Sequence, residues 1–265
     1  MSKNLIPAQR RKLIQEYLAT HKIASITDLS GIVETSEATI RRDLEWLENE
    51  GLLERTYGGA ILNQRYNLES AYEQRATSFP EEKRLIGEHA ASLIENGDIV
   101  FINSGTTTAQ IFHHIPKDAN ITVFTNNTIA AFEIGDDIAY EIVLLGGTLN
   151  AKVNAVTGSF SVSNLSQIYA DKTFVGVDGI SLKFGCTVPT NPEAEIVRMM
   201  IARTRGLVAI VTDHSKWGVV SNFEVAKVDQ IQKLITDDGI DSGAYDALVS
   251  QSVDVVITNP QVNLK

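Results

Sequence analysis

The sequence predicts an α/β chain in two parts: a small helical head ending in a short hairpin, then a larger domain with a mainly parallel sheet. Three observations carry this prediction. In the first sixty of the 265 residues, apolar side chains recur at helical spacing, and Tyr57-Gly58-Gly59 then separates two short apolar runs. From residue 81 onward, strand-sized apolar runs alternate with helical patterns, the rhythm of a sheet covered on both faces. Between them lies a polar, weakly periodic stretch ending in Pro80. The expected divisions are 1–62 for the head, 63–80 for a linker and 81–265 for the larger domain.

The first helix, over 8–20, places Leu13, Ile14, Tyr17 and Leu18 on one stripe. Thr27 is the expected N-cap of a short second helix carrying Leu29, Ile32 and Val33. Ser36 caps a third, in which Ile40, Leu44 and Leu47 repeat at i, i+4 and i+7, and Gly51 supplies the left-handed stop. A hairpin of 52–55 and 60–62 completes the pattern of a winged helix-turn-helix. In the larger part, helices are predicted over 81–95, 106–115, around Ala130, over 193–204 and over 244–249. Strands are predicted over 99–102, 121–124, 142–145, 172–177, 207–211, 233–235 and 253–257.

Composition narrows the function classes. With 43% hydrophobic and 21% charged residues, the chain has enough apolar material for a packed core and is not a disordered or fibrous sequence. Its apolar runs fall short of the roughly 18 residues a membrane span needs. Lys3, Arg10, Arg11 and Lys12 break up any apolar core of a signal peptide. Cys186 stands alone, which excludes an intramolecular disulfide and a structural cysteine zinc site. These features predict a soluble cytoplasmic protein with no membrane partner. The net charge of -10 is unevenly distributed: residues 1–65 hold nine Lys/Arg and nine Asp/Glu, residues 66–265 fourteen and twenty-four. Any affinity of the head for DNA must come from locally placed cations, because the acidic body repels phosphate.

The third helix is where such cations gather. With its apolar residues turned inward, Ser36, Glu37, Ala38, Thr39, Arg41 and Arg42 occupy its N-terminal outer part, the region that meets base edges in helix-turn-helix proteins. Arg41 and Arg42 can fork onto guanine edges or phosphates, and Thr39 can meet a phosphate or a thymine methyl. Arg10, Arg11, Arg55 and Tyr57 are expected backbone contacts from the first helix and the wing. The plainer alternative is a solvated face on which Arg41 pairs with Glu45. Thr39-Ile40-Arg41-Arg42-Asp43-Leu44, with Leu47, Gly51-Leu52-Leu53, Arg55 and Gly58-Gly59-Ala60, resembles the N-terminal signature of the DeoR family of bacterial transcriptional regulators. The resemblance spans nearly all of 8–62. The family usually has His in place of Tyr57 and often Phe in place of Val33.

A second candidate site lies in the larger domain. Asn103-Ser104-Gly105-Thr106-Thr107-Thr108 connects a predicted strand to a helix; its hydroxyls and the free N–H groups of the helix start would cradle an anion such as phosphate. Without a ligand, the same residues would be a hydroxyl-rich cap. Asn126, Gly146-Gly147, Asp178-Gly179 and Asp213-His214-Ser215-Lys216 also follow strands, so these loops are expected to converge on one crevice at the carboxyl ends of the sheet. There Lys216 would supply the counter-charge, and Asn126 and Asp178 would bond sugar hydroxyls.

Residues 73–259 resemble the sensor domain of DeoR-type regulators, marked by Glu73-Gln74-Arg75, 104–108, Thr125-Asn126, Gly146-Gly147, Gly176 with Gly179, Glu193-Ala194-Glu195 and 213–216. The resemblance implies a fold related to ribose-5-phosphate isomerase and a phosphorylated-sugar effector held by the threonine loop and Lys216. The family commonly has Asp where this chain has Asn103. No cofactor or metal is expected: neighbouring helical residues His113 and His114 point about 100° apart, and Glu193 and Glu195, two apart on a helix, do not face each other. Trp46 and Trp217 are read as packing residues, with Trp217 near enough to Lys216 to border a ligand. The expected protein is a repressor of sugar-metabolism genes that binds operator DNA as a homodimer or homotetramer. The alternatives are an effector-dependent activator and a sugar-phosphate isomerase, although an isomerase needs a carboxylate base beside the phosphate site.

Overall fold

The computed structural model describes residues 5–21, 23–49, 53–56, 58–62, 72–135 and 137–259. The predicted stop Gly51, the wing residue Tyr57 and the first half of the predicted linker, 63–71, lie outside the described residues. The head runs α1 (Pro7–His21), β1 (Ile23–Ser25), α2 (Ile26–Val33), α3 (Glu37–Asn49), β2 (Leu53–Arg55) and β3 (Gly59–Leu62). Ile14 and Leu18 of α1, Leu29 of α2, and Ile40, Leu44 and Leu47 of α3 are fully buried against one another. Ser25, not Thr27, caps α2: its hydroxyl accepts from the Asp28 N–H at 3.0 Å, and the Asp28 carboxylate accepts from the Ser25 N–H at 3.4 Å. The earlier start carries Ile26 into the core. Ser36 does cap α3, accepting from the Thr39 N–H at 3.3 Å. The wing gains a third antiparallel strand, in the order β1-β3-β2; three-residue β1 is too short to leave a periodic signal in sequence.

One buried carboxylate ties the head together. Asp43, 2% exposed, accepts from Arg10 Nε at 2.8 Å and from Arg11 Nε at 3.0 Å, binding α1 to α3. Arg11 also lies over the Trp46 ring, 4.0 Å from its centroid. Arg10 and Arg11, expected on DNA phosphates, thus have their guanidinium groups engaged inside the head.

In the larger part a short helix, α4 (Tyr72–Thr77), occupies the end of the stretch read as linker. There follow α5 (Pro80–Ser92), β4 (Ile99–Ile102), α6 (Thr106–Phe112), β5 (Thr122–Thr125), α7 (Thr128–Glu133), β6 (Glu141–Leu144), β7 (Thr148–Asn150), β8 (Ala155–Thr157), α8 (Ser159–Ser166) and β9 (Ala170–Val175). The chain continues with β10 (Gly179–Ser181), β11 (Gly185–Val188), α9 (Asn191–Ala202), β12 (Thr204–Val211), β13 (Phe223–Ala226), β14 (Lys233–Asp237), α10 (Ser242–Ser250) and β15 (Asp254–Thr258). The seven predicted strands become β4, β5, β6, β9, β12, β14 and β15, and they form one parallel sheet in the order β6-β5-β4-β9-β12-β14-β15. Unpredicted are α8, the β7-β8 hairpin and a small antiparallel sheet β10-β11-β13.

The sheet is covered on both faces, which is why its strands read as continuous apolar runs. Val100 and Ile102 of β4 and Ala209 and Val211 of β12 pack with Ile86 of α5 and Phe112 of α6. The alternate residues Val208 and Ile210 pack with Ala194 and Val197 of α9 and Leu248 of α10. Among the described residues no helix is long and apolar enough to cross a membrane.

The order of strands fixes where a ligand can sit. From β4 the chain adds β5 and β6 on one side, then returns to add β9 on the other. The loops after β4 and β9 therefore leave the sheet in opposite directions and open a crevice between them. For the head, Asp43→Ala is expected to lower stability by about 2–3 kcal/mol, since it strands two partly buried guanidinium groups. Urea unfolding checks this, and a loss under 0.5 kcal/mol would relegate the tie to a surface ion pair.

Candidate functional site

At that crevice the loop after β4 is pinned from both sides. The Asn103 amide donates to the Gly176 carbonyl at 2.9 Å and accepts from the Gly176 N–H at 2.8 Å, crossing from β4 to the end of β9. An ionised Asp here would accept the second bond but could not donate the first, so Asn103 makes both halves of a pair that the usual family residue would leave incomplete. Asn126, 2% exposed, accepts from the Ser104 N–H at 2.7 Å and donates to the Val156 carbonyl at 3.1 Å. It positions the loop instead of offering its amide to a ligand. Thr108 is also turned inward: its hydroxyl donates to the Asn103 carbonyl at 2.8 Å. A side chain at Gly105 would collide with that hydroxyl.

Beyond this loop lies a cavity of about 660 Å³, the size of a small-molecule site. Its walls include Ser104, Gly105, Thr106, Thr107, Asp178 and Lys216 from the predicted set. Asn126 lines only a narrow recess of about 20 Å³ with Arg75, Asn103, Ser104, Asp178 and Glu193. Gly146 and Gly147 line neither space. The Gly146 carbonyl accepts from the Ser161 hydroxyl at 2.7 Å but a side chain at Gly146 would meet open space, whereas one at Gly147 would collide with the Thr157 carbonyl and the Ser161 hydroxyl.

Sequence reasoning missed Lys83, Phe79, Asp237, His21 and Ile23 at this site, and it named Arg75, Asp213 and His214 without assigning them a role there. Arg75 of α4 pairs with Asp178 at 3.3 Å. Lys83 of α5, 4% exposed, donates to the carbonyls of Arg75 and Ser78 and stands 3.9 Å from Asp213. Burial lowers its pKa, against the pull of Asp213. His214 Nδ1 lies 2.6 Å from the buried Asp237 carboxylate, and the Phe79 ring packs edge-on against the imidazole at 4.7 Å. Asp213 caps the turn that carries Lys216, accepting from the Ser215 N–H at 3.1 Å. His21 and Ile23 of the head also line the cavity. In sequence, Lys83 reads as an ordinary helix-surface cation; only the carbonyl ends of α4 packed over it reveal its role. Arg75 carried a signal in the family mark Glu73-Gln74-Arg75 but none in periodicity.

On the head, Ser36, Arg41 and Arg42 are exposed along the outer side of α3, and Thr39 is partly so. Arg41 reaches Glu37 at 3.7 Å, one turn back, instead of Glu45. Arg55 is engaged by Glu48, Nε to carboxylate at 2.7 Å. Trp46 is 41% exposed under Arg11, whereas Trp217 packs on the second core and borders the cavity. His113 faces Glu133 at 3.6 Å and His114 Nδ1 lies 2.8 Å from the Gln110 carbonyl oxygen; among the described residues no metal-ligating cluster forms.

Both halves of the chain match known domains. Residues 10–66 match the DeoR-like helix-turn-helix domain and residues 78–238 the DeoR C terminal sensor domain. The chain belongs to the DeoR family. It is 33% identical over 252 residues to the HTH-type transcriptional regulator GlpR of Haloferax volcanii, covering 95% of this chain and 98% of the relative. It is 33% identical over 250 residues to the HTH-type transcriptional repressor GlcR of Bacillus subtilis, with 94% and 96% covered. These relatives are transcriptional regulators, not enzymes, and the DeoR-family chain described here is a DNA-binding regulator of the same kind. Among solved structures, ribose 5-phosphate isomerase A from Methanocaldococcus jannaschii aligns at a TM-score of 0.38 and 12% identity, over 53% of this chain and 55% of that one.

Glu193, at the start of α9, allows a test of the recess. Burial first and the Asp178 charge second raise its pKa, against a hydrogen bond from Thr190 at 2.8 Å. A carboxyl with a folded pKa above its unfolded value of about 4.3 contributes stability below that value and loses it as pH rises through the folded pKa. Glu193→Gln cannot ionise, so its melting temperature should rise relative to the native protein's between pH 4 and pH 7.5. An equal difference at both pH values would place Glu193 in a solvated setting.

Proposed function

We propose that this DeoR-family regulator is a repressor of sugar-metabolism genes whose operator binding is modulated by a phosphorylated sugar in the 660 Å³ cavity. The observation that carries the reading is the shared wall of that cavity: hydroxyls of Ser104, Thr106 and Thr107 from the β4 loop and the ammonium of Lys216 from the β12 loop. Hydroxyl and amide donors beside a cation suit a phosphate dianion, and Asp178 supplies an acceptor for sugar hydroxyls. The match to a sensor domain supports a ligand of some kind, and the similarity to the transcriptional repressor GlcR supports the sense of regulation. The protein acts as a homodimer or homotetramer, since one reading helix covers too little sequence and symmetric half-sites add affinity. Regulation is linkage: the effector binds one arrangement of head and sensor better than the other. An effector-dependent activator would use the same cavity and differ only in which arrangement binds DNA.

Thermal denaturation against a panel of pentose, hexose and triol phosphates, with unphosphorylated sugars as controls, tests the cavity. A ligand at about 100 times its Kd adds about 2.7 kcal/mol, a rise of roughly 5–10 °C for a chain of this size if unfolding is near two-state. The rise should require the phosphate and vanish in Lys216→Ala; stabilisation that survives this change would move the phosphate elsewhere. On the head, Arg41→Ala should weaken operator binding by roughly 5–150-fold, corresponding to about 1–3 kcal/mol, while leaving the ligand-induced melting shift intact. Unchanged operator affinity in fluorescence anisotropy would remove Arg41 from the reading surface.

A further inference from the structure

Arg75 belongs at once to the cavity and to the segment that leads back to the head. Its guanidinium meets Asp178, on the loop after β9, at 3.3 Å, and both side chains are about one-fifth exposed. Its Nε is buried with no hydrogen-bond partner among the described residues. A buried donor left open costs stability unless something fills it. The adjacent recess of about 20 Å³ has room for one water-sized group, between Arg75, Asp178 and Glu193. A sugar hydroxyl fits this chemistry: its oxygen accepts from Arg75 while its hydrogen is donated to Asp178.

The main chain of the same segment is held by Lys83. Its ammonium donates to the carbonyl of Arg75 at 2.5 Å and to that of Ser78, and faces Asp213, which caps the turn bearing Lys216. Directly between α4 and α5, Phe79 adopts a left-handed backbone, φ 52° and ψ 50°, a conformation unfavourable for a residue with a side chain. The strained joint is kept in place by the contacts around it. Two walls of the cavity, the Asp178 loop and the Asp213 turn, are thus wired to one short helix at the head's side of the domain.

We propose that Arg75 reads the effector's sugar hydroxyl and, with Lys83, forms the latch that passes cavity occupancy to α4 and so to the DNA-binding head. The inference rests on the effector reading of the same cavity. An arriving hydroxyl takes over part of the Arg75–Asp178 pairing, α4 shifts about the Phe79 joint, and the head's placement changes with it. Arg75 is both a binding residue for the hydroxyl and the positioning residue for α4.

A double-mutant cycle tests the latch with no ligand present. Operator affinity is measured by anisotropy, using DNA selected from random sequence by the native full-length protein, for Arg75→Met, Asp178→Asn and the double variant. Each single change should alter affinity at least threefold in the same direction, and the double variant should add nothing to the larger single effect. Amide exchange across 72–79 should quicken in both single variants, and Arg75→Lys should recover part of the native affinity. Arg84→Met, which removes the exposed pairs with Glu81 and Glu88 on α5, should stay within twofold of the native protein. Single effects under twofold, or effects that multiply in the double variant, would overturn the latch. In a second arm the phosphorylated-sugar panel is added: Arg75→Met should bind the ligand that stabilises the native protein more weakly, and even at a ligand concentration that restores the native rise in melting temperature its operator affinity should no longer respond. A response as large as the native one would equally overturn the proposal. If no panel member stabilises the native protein, the effector reading fails, and the ligand-free cycle still decides the latch.

Discussion

The reversal of strand order between β4 and β9 is the constraint on which the rest of this structure depends. Parallel strands send their following loops out at the same edge of the sheet, and only at a reversal do two such loops diverge enough to leave room for a ligand. Here the room is stabilised by the paired bonds between Asn103 and Gly176, which hold the two strand ends together below the opening. Everything above follows from that anchor. Ser104 is aimed by Asn126, Thr108 closes the loop from inside, and Thr106 and Thr107 are left facing the cavity. The residues that fix the loop are distinct from those that face the ligand space, although they sit side by side in sequence.

That division explains which parts of the site were legible in the sequence. The seven parallel strands were readable because burial on both faces makes the central ones, such as β4 and the end of β12, continuous apolar runs, with shorter apolar runs in the edge strands β6 and β15. What pattern reasoning cannot supply is direction. Asn126 and Thr108 have the same hydrogen-bonding groups whether they face inward or toward a ligand, and the structure turns both inward. Gly146 and Gly147 looked like ligand-loop glycines, but Gly147 packs closely on Thr157 and Ser161 and Gly146 offers its carbonyl to the Ser161 hydroxyl. The small elements β1, β7, β8 and α4 escaped because a three- or six-residue element completes too little of a period to be seen. Lys83 escaped for a different reason: a buried lysine is exceptional, and nothing but tertiary packing makes it so.

In the head, the same logic separates bracing cations from outward-facing ones. Arg10, Arg11 and Arg41 are alike in sequence, yet Asp43 draws the first two inward and leaves Arg41 on the outer side of α3 with only a 3.7 Å contact to Glu37. An exposed pair of that length is worth less than about 1 kcal/mol and is screened by salt, so exchanging Glu37 for a DNA phosphate costs little. With a body that carries the whole net charge of -10, cheap local exchange of this kind matters more than overall attraction. Long-range steering works against the approach of DNA, so affinity rests on short-range contacts that form after the head has arrived.

The strength of the contacts between cavity and head sets what kind of switch this chain can be. Allosteric coupling in proteins typically amounts to about 1–3 kcal/mol. A latch much stronger than this would not be released by one hydroxyl and one phosphate, and a much weaker one would hold no arrangement of the head. A partly exposed 3.3 Å pairing of Arg75 with Asp178 lies at the lower end of that range. The buried Lys83 contacts lie beyond easy exchange, since uncovering its ammonium would strand the Arg75 and Ser78 carbonyls as well. The two contacts therefore have different parts. In the proposed latch the buried Lys83 contacts hold α4 to the sensor domain, and the weaker, partly exposed Arg75 pairing is the one a sugar hydroxyl would exchange.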